Sequence, residues 1–166
     1  MSNGHAELAE ALLRRGADVS LQKSDGGIAL IVAAVNGHEN LVELALRHGA
    51  EVNQKYSDGS TALMNAAAYG SERIADMLIR HGAEINLRGS TGGTALMAAA
   101  FRNHPAVVRQ LLRAGADMAL RTAAGKTALQ IAKEKGHTEC IAAVKTFLGE
   151  VAAERRDAAA VEAGGA

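Results

Sequence analysis

Apolar residues in this chain fall in short helical stripes that return on a fixed step. Ile74, Met77 and Leu78 sit at i, i+3 and i+4, one face of a helix, with Glu72 and Arg73 ahead of them and Arg80 behind. An alanine-dominated run, Ala62 to Tyr69, precedes that stripe and stops at Gly70. The pair of runs recurs: Leu30, Leu63, Leu96 and Leu129 are 33 residues apart, and so are Gly16, Gly49, Gly82 and Gly115. A period of this length marks a solenoid of stacked units, none able to bury its apolar face alone. Each helix is shorter than the roughly 12 residues below which isolated helices are marginal in water, so neighbouring units must supply the stability.

Turn chemistry sets the boundaries inside each unit. Ser57-Asp58-Gly59 reads as a tight turn, because Asp bonds its own backbone and Gly accepts positive φ. Thr61 is placed to cap the helix Ala62 to Tyr69, Ser71 to cap the helix Glu72 to Arg80, and Gly82 to stop it. In the third unit Asn103 replaces the linker glycine and can visit the left-handed region, while Pro105 falls in the first turn of the second helix. Ile28 stands where the other units have Thr, which predicts a missing cap worth about 1 kcal/mol and a loose first unit.

The period divides the chain into a partial repeat at 1–22, full repeats at 23–55, 56–88 and 89–121, and a C-terminal cap at 122–148. An Ala- and charge-rich tail, a frayed helix or disordered segment, follows at 149–166. The partial repeat begins at Asn3-Gly4-His5, which matches Asn36-Gly37-His38, so its helix Glu7 to Arg15 lacks a partner helix. Leu8, Leu12 and Leu13 are then half covered, and unfolding is expected to start at this end. In the last unit Lys133, Glu134 and Lys135 replace the Ala-rich end of the first helix, as a cap requires.

These recurring phrases, Gly59-Ser60-Thr61-Ala62-Leu63 and Gly82-Ala83-Glu84-Ile85-Asn86 among them, resemble the ankyrin repeat over about residues 4 to 148. The resemblance implies an all-helical solenoid of antiparallel helix pairs joined by β-hairpin loops, with a concave face formed by the hairpins and first helices. Two departures stand out. Ala29, Ala62, Ala95 and Ala128 replace the family's proline, and Ile31, Met64, Met97 and Gln130 replace its histidine.

Composition narrows the chemistry. Lys plus Arg equals Asp plus Glu at 18 each, which favours neither nucleic acid nor an acidic tail. The lone Cys140 excludes an internal disulfide framework and fits an intracellular, cytoplasmic setting, with the nucleus left open. No charged-then-apolar leader opens the chain, and the longest apolar run, Ile28 to Val35, is too short for a bilayer, so no membrane is expected. Four histidines (His5, His38, His104, His137) share one repeat position, but equivalent side chains lie roughly 10 Å apart. That separation is too wide for one metal with ~2 Å bonds. Cys140 takes the place of Leu41, Ile74 and Val107 and reads as a core residue. The column Asp18, Glu51, Glu84, Asp117 reads as loop-stabilising carboxylates. No pocket gathers catalytic groups, so neither an enzyme nor a cofactor is expected.

What remains is a recognition surface for a protein or peptide. By the resemblance, contact positions lie at hairpin tips and at the ends of the first helices. They include Ser24, Asp25, Gly27, Asn36 and Lys55 in the first full unit, and Tyr56, Asp58, Tyr69 and Arg88 in the second. Phe101, Arg102 and Arg121 follow in the third, then Lys126, Glu134 and Lys135 in the last. Tyr69 and Phe101 on this face, and the basic column Lys55, Arg88 and Arg121, are the anchors expected of an interface. The chain is expected to be a monomer, with self-association available through the open N-terminal repeat. A fragment of a longer ankyrin array without its own partner is the alternative. Leu78 followed by Glu84-Ile85-Asn86 also resembles the hairpin sequence that ankyrin-directed asparaginyl hydroxylases accept. That marks Asn86 as a candidate modification site, with Asn53, preceded by Ala45, the poorer one.

Overall fold

A computed structural model describes residues 29–164. Eight helices are found among them: α1 (Ala29–Val35), α2 (Glu39–Arg47), α3 (Ala62–Tyr69), α4 (Glu72–Arg80), α5 (Ala95–Phe101), α6 (Pro105–Arg113), α7 (Ala128–Lys135) and α8 (Thr138–Gly164). The helix predicted over Glu7 to Arg15, the half-covered Leu8, Leu12 and Leu13 with any self-association through them, the uncapped Ile28, and tip positions Ser24, Asp25 and Gly27 lie outside the described residues.

In the last three repeats the first helix starts where its threonine permits. Thr61, Thr94 and Thr127 have extended backbones, with ψ of 167°, 170° and 164°, and each hydroxyl accepts the amide three residues on. Thr127 completes a reciprocal box, since the Gln130 side chain accepts the Thr127 amide at 2.9 Å. The Gln at the family's histidine position thus has a local use. Ser71 corrects the sequence expectation. It stands at the N-cap of α4 but makes no capping bond, and its ψ of 82° departs from the 164–170° of the capping threonines. Two of the histidines at this position act differently. His104 Nε2 lies 3.0 Å from the Ala68 carbonyl and His137 Nδ1 lies 2.8 Å from that of Ala100. Each ring N–H can donate to a C-terminal carbonyl of the preceding repeat, one of the groups a helix end leaves unpaired.

The helices form two layers. Helices α1, α3, α5 and α7 stack side by side as an inner layer, α2, α4, α6 and α8 as an outer one, and each inner helix packs on the outer helix of its own repeat. Ala33, Ala34, Ala66, Ala67, Ala99 and Ala100 are buried in the inner layer, where small side chains let the helices approach. Leu30, Leu63 and Leu96 are buried with them, and Val42, Ile74, Leu78, Val107 and Leu111 fill the outer layer. Each large aliphatic residue so buried contributes roughly 1.5–3 kcal/mol. The last repeat shows what a missing neighbour does: Leu129 is only partly buried, and Gln130 and Lys133 are exposed where Met97 and Ala100 are buried.

Helix α8 is much longer than its counterparts, at 27 residues. Cys140, Ala143 and Val144 dock its first turns into the core, and Arg113 reaches Glu150 at 3.7 Å. Gly149 does not interrupt the helix, and residues 152–163 are exposed along its final turns. Among the described residues no helix is long and apolar enough to cross a membrane.

Candidate interaction surface

The loops between repeats close into tight turns. Tyr56 N donates to the Ser60 carbonyl at 2.8 Å and Gly59 N to that of Tyr56 at 2.9 Å; Gly89–Gly93 and Thr122–Lys126 repeat the pattern at 2.9 and 3.0 Å. Successive tips are tied together, Ser90 N to the Asp58 carbonyl at 3.2 Å and Ala123 N to the Thr91 carbonyl at 2.8 Å. The Ser90 hydroxyl adds a 2.6 Å bond to the same Asp58 carbonyl. Single bonds of this kind close the hairpins, and no extended strand forms among the described residues.

Two rows of side chains fasten the loops further. Asn53 Oδ1 accepts the Glu84 amide at 2.8 Å, and Asn86 Oδ1 accepts the Asp117 amide at 2.9 Å while its Nδ2 donates to the Gly115 carbonyl at 3.3 Å. The acidic column joins in, Glu84 accepting from Asn53 Nδ2 at 3.3 Å and Asp117 from Ala119 N at 2.8 Å. The second row is the basic column. Lys55 Nζ donates to the Arg88 carbonyl at 3.0 Å, Arg88 Nη2 to the Arg121 carbonyl at 2.7 Å, and Arg121 Nη1 to the Gly125 carbonyl at 2.8 Å. Gly92, at φ +74°, makes room for this: a Cβ there would stand 2.8 Å from Arg88 Nη2. Lys55, Arg88 and Arg121 are exposed, yet their cationic heads are spent on main-chain carbonyls of the stack.

The other expected contact residues divide into two groups. Asn36, Tyr56 and Asp58 come together around a cleft of about 250 Å³, with Ile31, Val35 and Asn65 as further walls. Asn36 Nδ2 donates to the Val32 carbonyl at 2.7 Å. Tyr56 packs partly buried against the core. The Asp58 carboxylate accepts the Ser60 amide at 2.9 Å, and bonding from Ser60 holds it below its ordinary pKa.

The second group lies toward the C-terminal end. Tyr69 and Phe101 are 58% and 46% exposed at the ends of α3 and α5. Arg102 and Lys135 both stand over the Phe101 ring, with Cζ 5.9 Å and Nζ 4.2 Å from its centroid. Lys126 is drawn to Glu134 at 2.6 Å instead. What sequence reasoning missed was the seating of Lys135 on Phe101. Its signal is the register: Lys135 follows by one residue the position equivalent to Phe101 in the next repeat. A further groove along α8, lined by Met118, Phe147, Leu148 and Val151, was also not anticipated.

Among the described residues the one thiol lies away from this face. Cys140 is buried, its Sγ 3.5 Å from Asn103 Oδ1, and burial pushes its thiol up, with Glu139 adding and Arg109 opposing. Among the described residues no three His, Cys, Asp or Glu side chains gather as a metal site would require. No curated protein matches the chain significantly. A family model described as ankyrin repeats (3 copies) matches residues 1–89 and again 87–149. With two-layered helix pairs, threonine caps and loop staples recurring on that same register, the chain belongs to the ankyrin-repeat family.

Proposed function

We propose that this chain is a non-catalytic interaction module that binds a protein or peptide along the concave face of loop tips and inner-helix ends. Ankyrin repeats are generally protein-interaction modules and are typically non-catalytic. The observation that carries the reading to this face is the exposure of Tyr69 and Phe101, two of only four aromatic residues in the chain. A large aromatic ring left in water forfeits burial free energy, whereas a partner covering it gains area at little entropic cost. Both rings stand at the ends of inner helices, in repeats whose loops the Asn and Lys/Arg rows tie to the next repeat. Rigid loops reduce the ordering cost of association.

In this reading Tyr69, Phe101 and Arg102 carry the affinity. Lys55, Arg88 and Arg121 position the loops, and Asn36, Tyr56, Asp58 and Lys126 border the contact. A monomer in a reducing, cytoplasmic compartment suits the buried thiol of Cys140. The test is affinity capture with the full chain, identification of the captured protein by mass spectrometry, and titration against the Tyr69→Ala/Phe101→Ala/Arg102→Ala variant. Losses of about 2 kcal/mol or more per anchor, with circular dichroism unchanged, are expected of hot spots. Undiminished affinity overturns the assignment of this face.

A further inference from the structure

The two ends of this face differ in charge, and the difference bears on what the face would bind. Tyr69, Arg102 and Lys135 occupy one register in three consecutive repeats and therefore form a row along the C-terminal ends of α3, α5 and α7, Arg102 being the residue that closes α5. Neighbouring inner helices sit about 8–10 Å apart, so one extended peptide segment can reach all three. Phe101, one position earlier in the register, borders this row, half exposed, beneath two cations. Neither Arg102 nor Lys135 has a carboxylate within salt-bridge distance among the described residues, whereas Lys126, Arg73, Arg80 and Arg113 do. The acidic residue adjacent to Lys135, Glu134, is already neutralised by Lys126 at 2.6 Å. The carboxylate of Asp58 belongs to the opposite, N-terminal end of the face, at the cleft.

We propose that the Tyr69–Phe101–Arg102–Lys135 row takes an acidic peptide segment, with an apolar side chain laid on Phe101 and carboxylates paired with Arg102 and Lys135. This deepens the concave-face reading and rests on it. The ring first serves as an apolar floor. Its π-face also holds both ammonium and guanidinium groups in place, by an attraction of about 0.5–1 kcal/mol at exposed sites. A carboxylate arriving there meets cations whose positions are already restricted, and charge complementarity speeds its encounter and rejects basic segments. The charged ladder Lys55–Arg88–Arg121 does not compete, since its heads are bonded to carbonyls within the stack.

The experiment is selection of a random peptide library, displayed on phage, against the immobilised full chain. Selected peptides are synthesised with a fluorophore and titrated by anisotropy at low and high salt. Four proteins are compared: the unmodified chain, Arg102→Gln/Lys135→Gln, Tyr69→Ala/Phe101→Ala, and Arg73→Gln on the outer layer as a distal control. The expected result is enrichment of Asp and Glu beside an aliphatic or aromatic residue, with affinity falling as salt rises. The Arg102→Gln/Lys135→Gln pair should lose about tenfold or more (about 1.4 kcal/mol), and Arg73→Gln should lose nothing. Peptides without acidic enrichment that still need Tyr69 and Phe101 overturn the acidic preference and leave the concave-face reading standing. Peptides indifferent to both pairs of substitutions overturn both.

Discussion

Arg88 and Arg121 are joined across consecutive repeats: the guanidinium of the first donates from Nη2 to the backbone carbonyl of the second at 2.7 Å. Lys55 stands in the same relation to Arg88 at 3.0 Å. A column that reads in sequence as a row of interface cations is therefore also a set of inter-repeat fasteners. Arg88→Ala should lower the urea midpoint by the equivalent of about 0.5–1 kcal/mol, the low end for a hydrogen bond because the site is exposed. Arg88→Lys should fall between, since one ammonium cannot serve the Gly92 and Arg121 carbonyls as a planar fork does. An Arg88→Ala protein as stable as the unmodified chain would show that the ladder contributes nothing.

Gly70 and Gly136 share a left-handed backbone, with φ of +70° and +71°, but not their surroundings. A Cβ at Gly70 would stand 2.5 Å from His104 Nδ1, and none would meet anything at Gly136. Gly136→Ala should therefore cost about 1 kcal/mol, the conformational penalty alone. Gly70→Ala should cost more, because the His104 ring must leave the Ala68 carbonyl. Equal losses in thermal or urea unfolding would mean that the His104 contact carries no stability.

The starts of these helices and the turn at Asn103 were legible because they depend on residues whose chemistry is local. Thr61 and Thr94 cap as their position implies, Asn103 takes the left-handed conformation at φ +61°, and Pro105 opens α6. Side chains that reach between repeats were not legible to the same degree. The period places Lys55, Arg88 and Arg121 in a column, but nothing in a periodic pattern says that each head bends toward the next main chain. His104 and His137 look like local turn residues for the same reason, and their partners lie 36 and 37 positions earlier. Ser71 does not cap, at a ψ of 82° where the capping threonines are extended, and residue type alone does not give ψ. The exposure of Tyr69 and Phe101 was legible, while the seating of Lys135 over Phe101 needed coordinates.

Burial raises the pKa of Cys140, so its thiolate, the reactive form, is scarce at neutral pH. Alkylation in the native state should be slow and should become fast only on unfolding, which makes labelling a local reporter of the C-terminal stack. The sign for stability follows. A thiol whose folded pKa is raised contributes stability fully below its unfolded pKa, and that contribution falls as pH climbs beyond the ordinary thiol range. Rapid labelling of the folded chain at neutral pH would contradict this burial.

Asn86 is proposed as the preferred site for an ankyrin-directed asparaginyl hydroxylase. Both its amide atoms are bonded to the following repeat, as are those of Asn53, so loop opening must precede reaction at either site. Incubation with such an enzyme and peptide mass spectrometry should show oxygen at Asn86 ahead of Asn53, and faster addition in sub-denaturing urea. Oxygen at Asn53 first, or none at all, contradicts the assignment.

Hydrogen exchange of the chain, free and saturated with its captured protein partner, tests the interaction surface most directly. The expected result is added protection in the loop tips at 56–60, 89–93 and 122–126 and in the inner-helix ends around Tyr69, Phe101 and Lys135. The outer helices α2, α4 and α6 should exchange as they do in the free chain. Protection confined to those outer helices, with the loop tips unchanged, would place the partner on the opposite side and contradict the concave-face account.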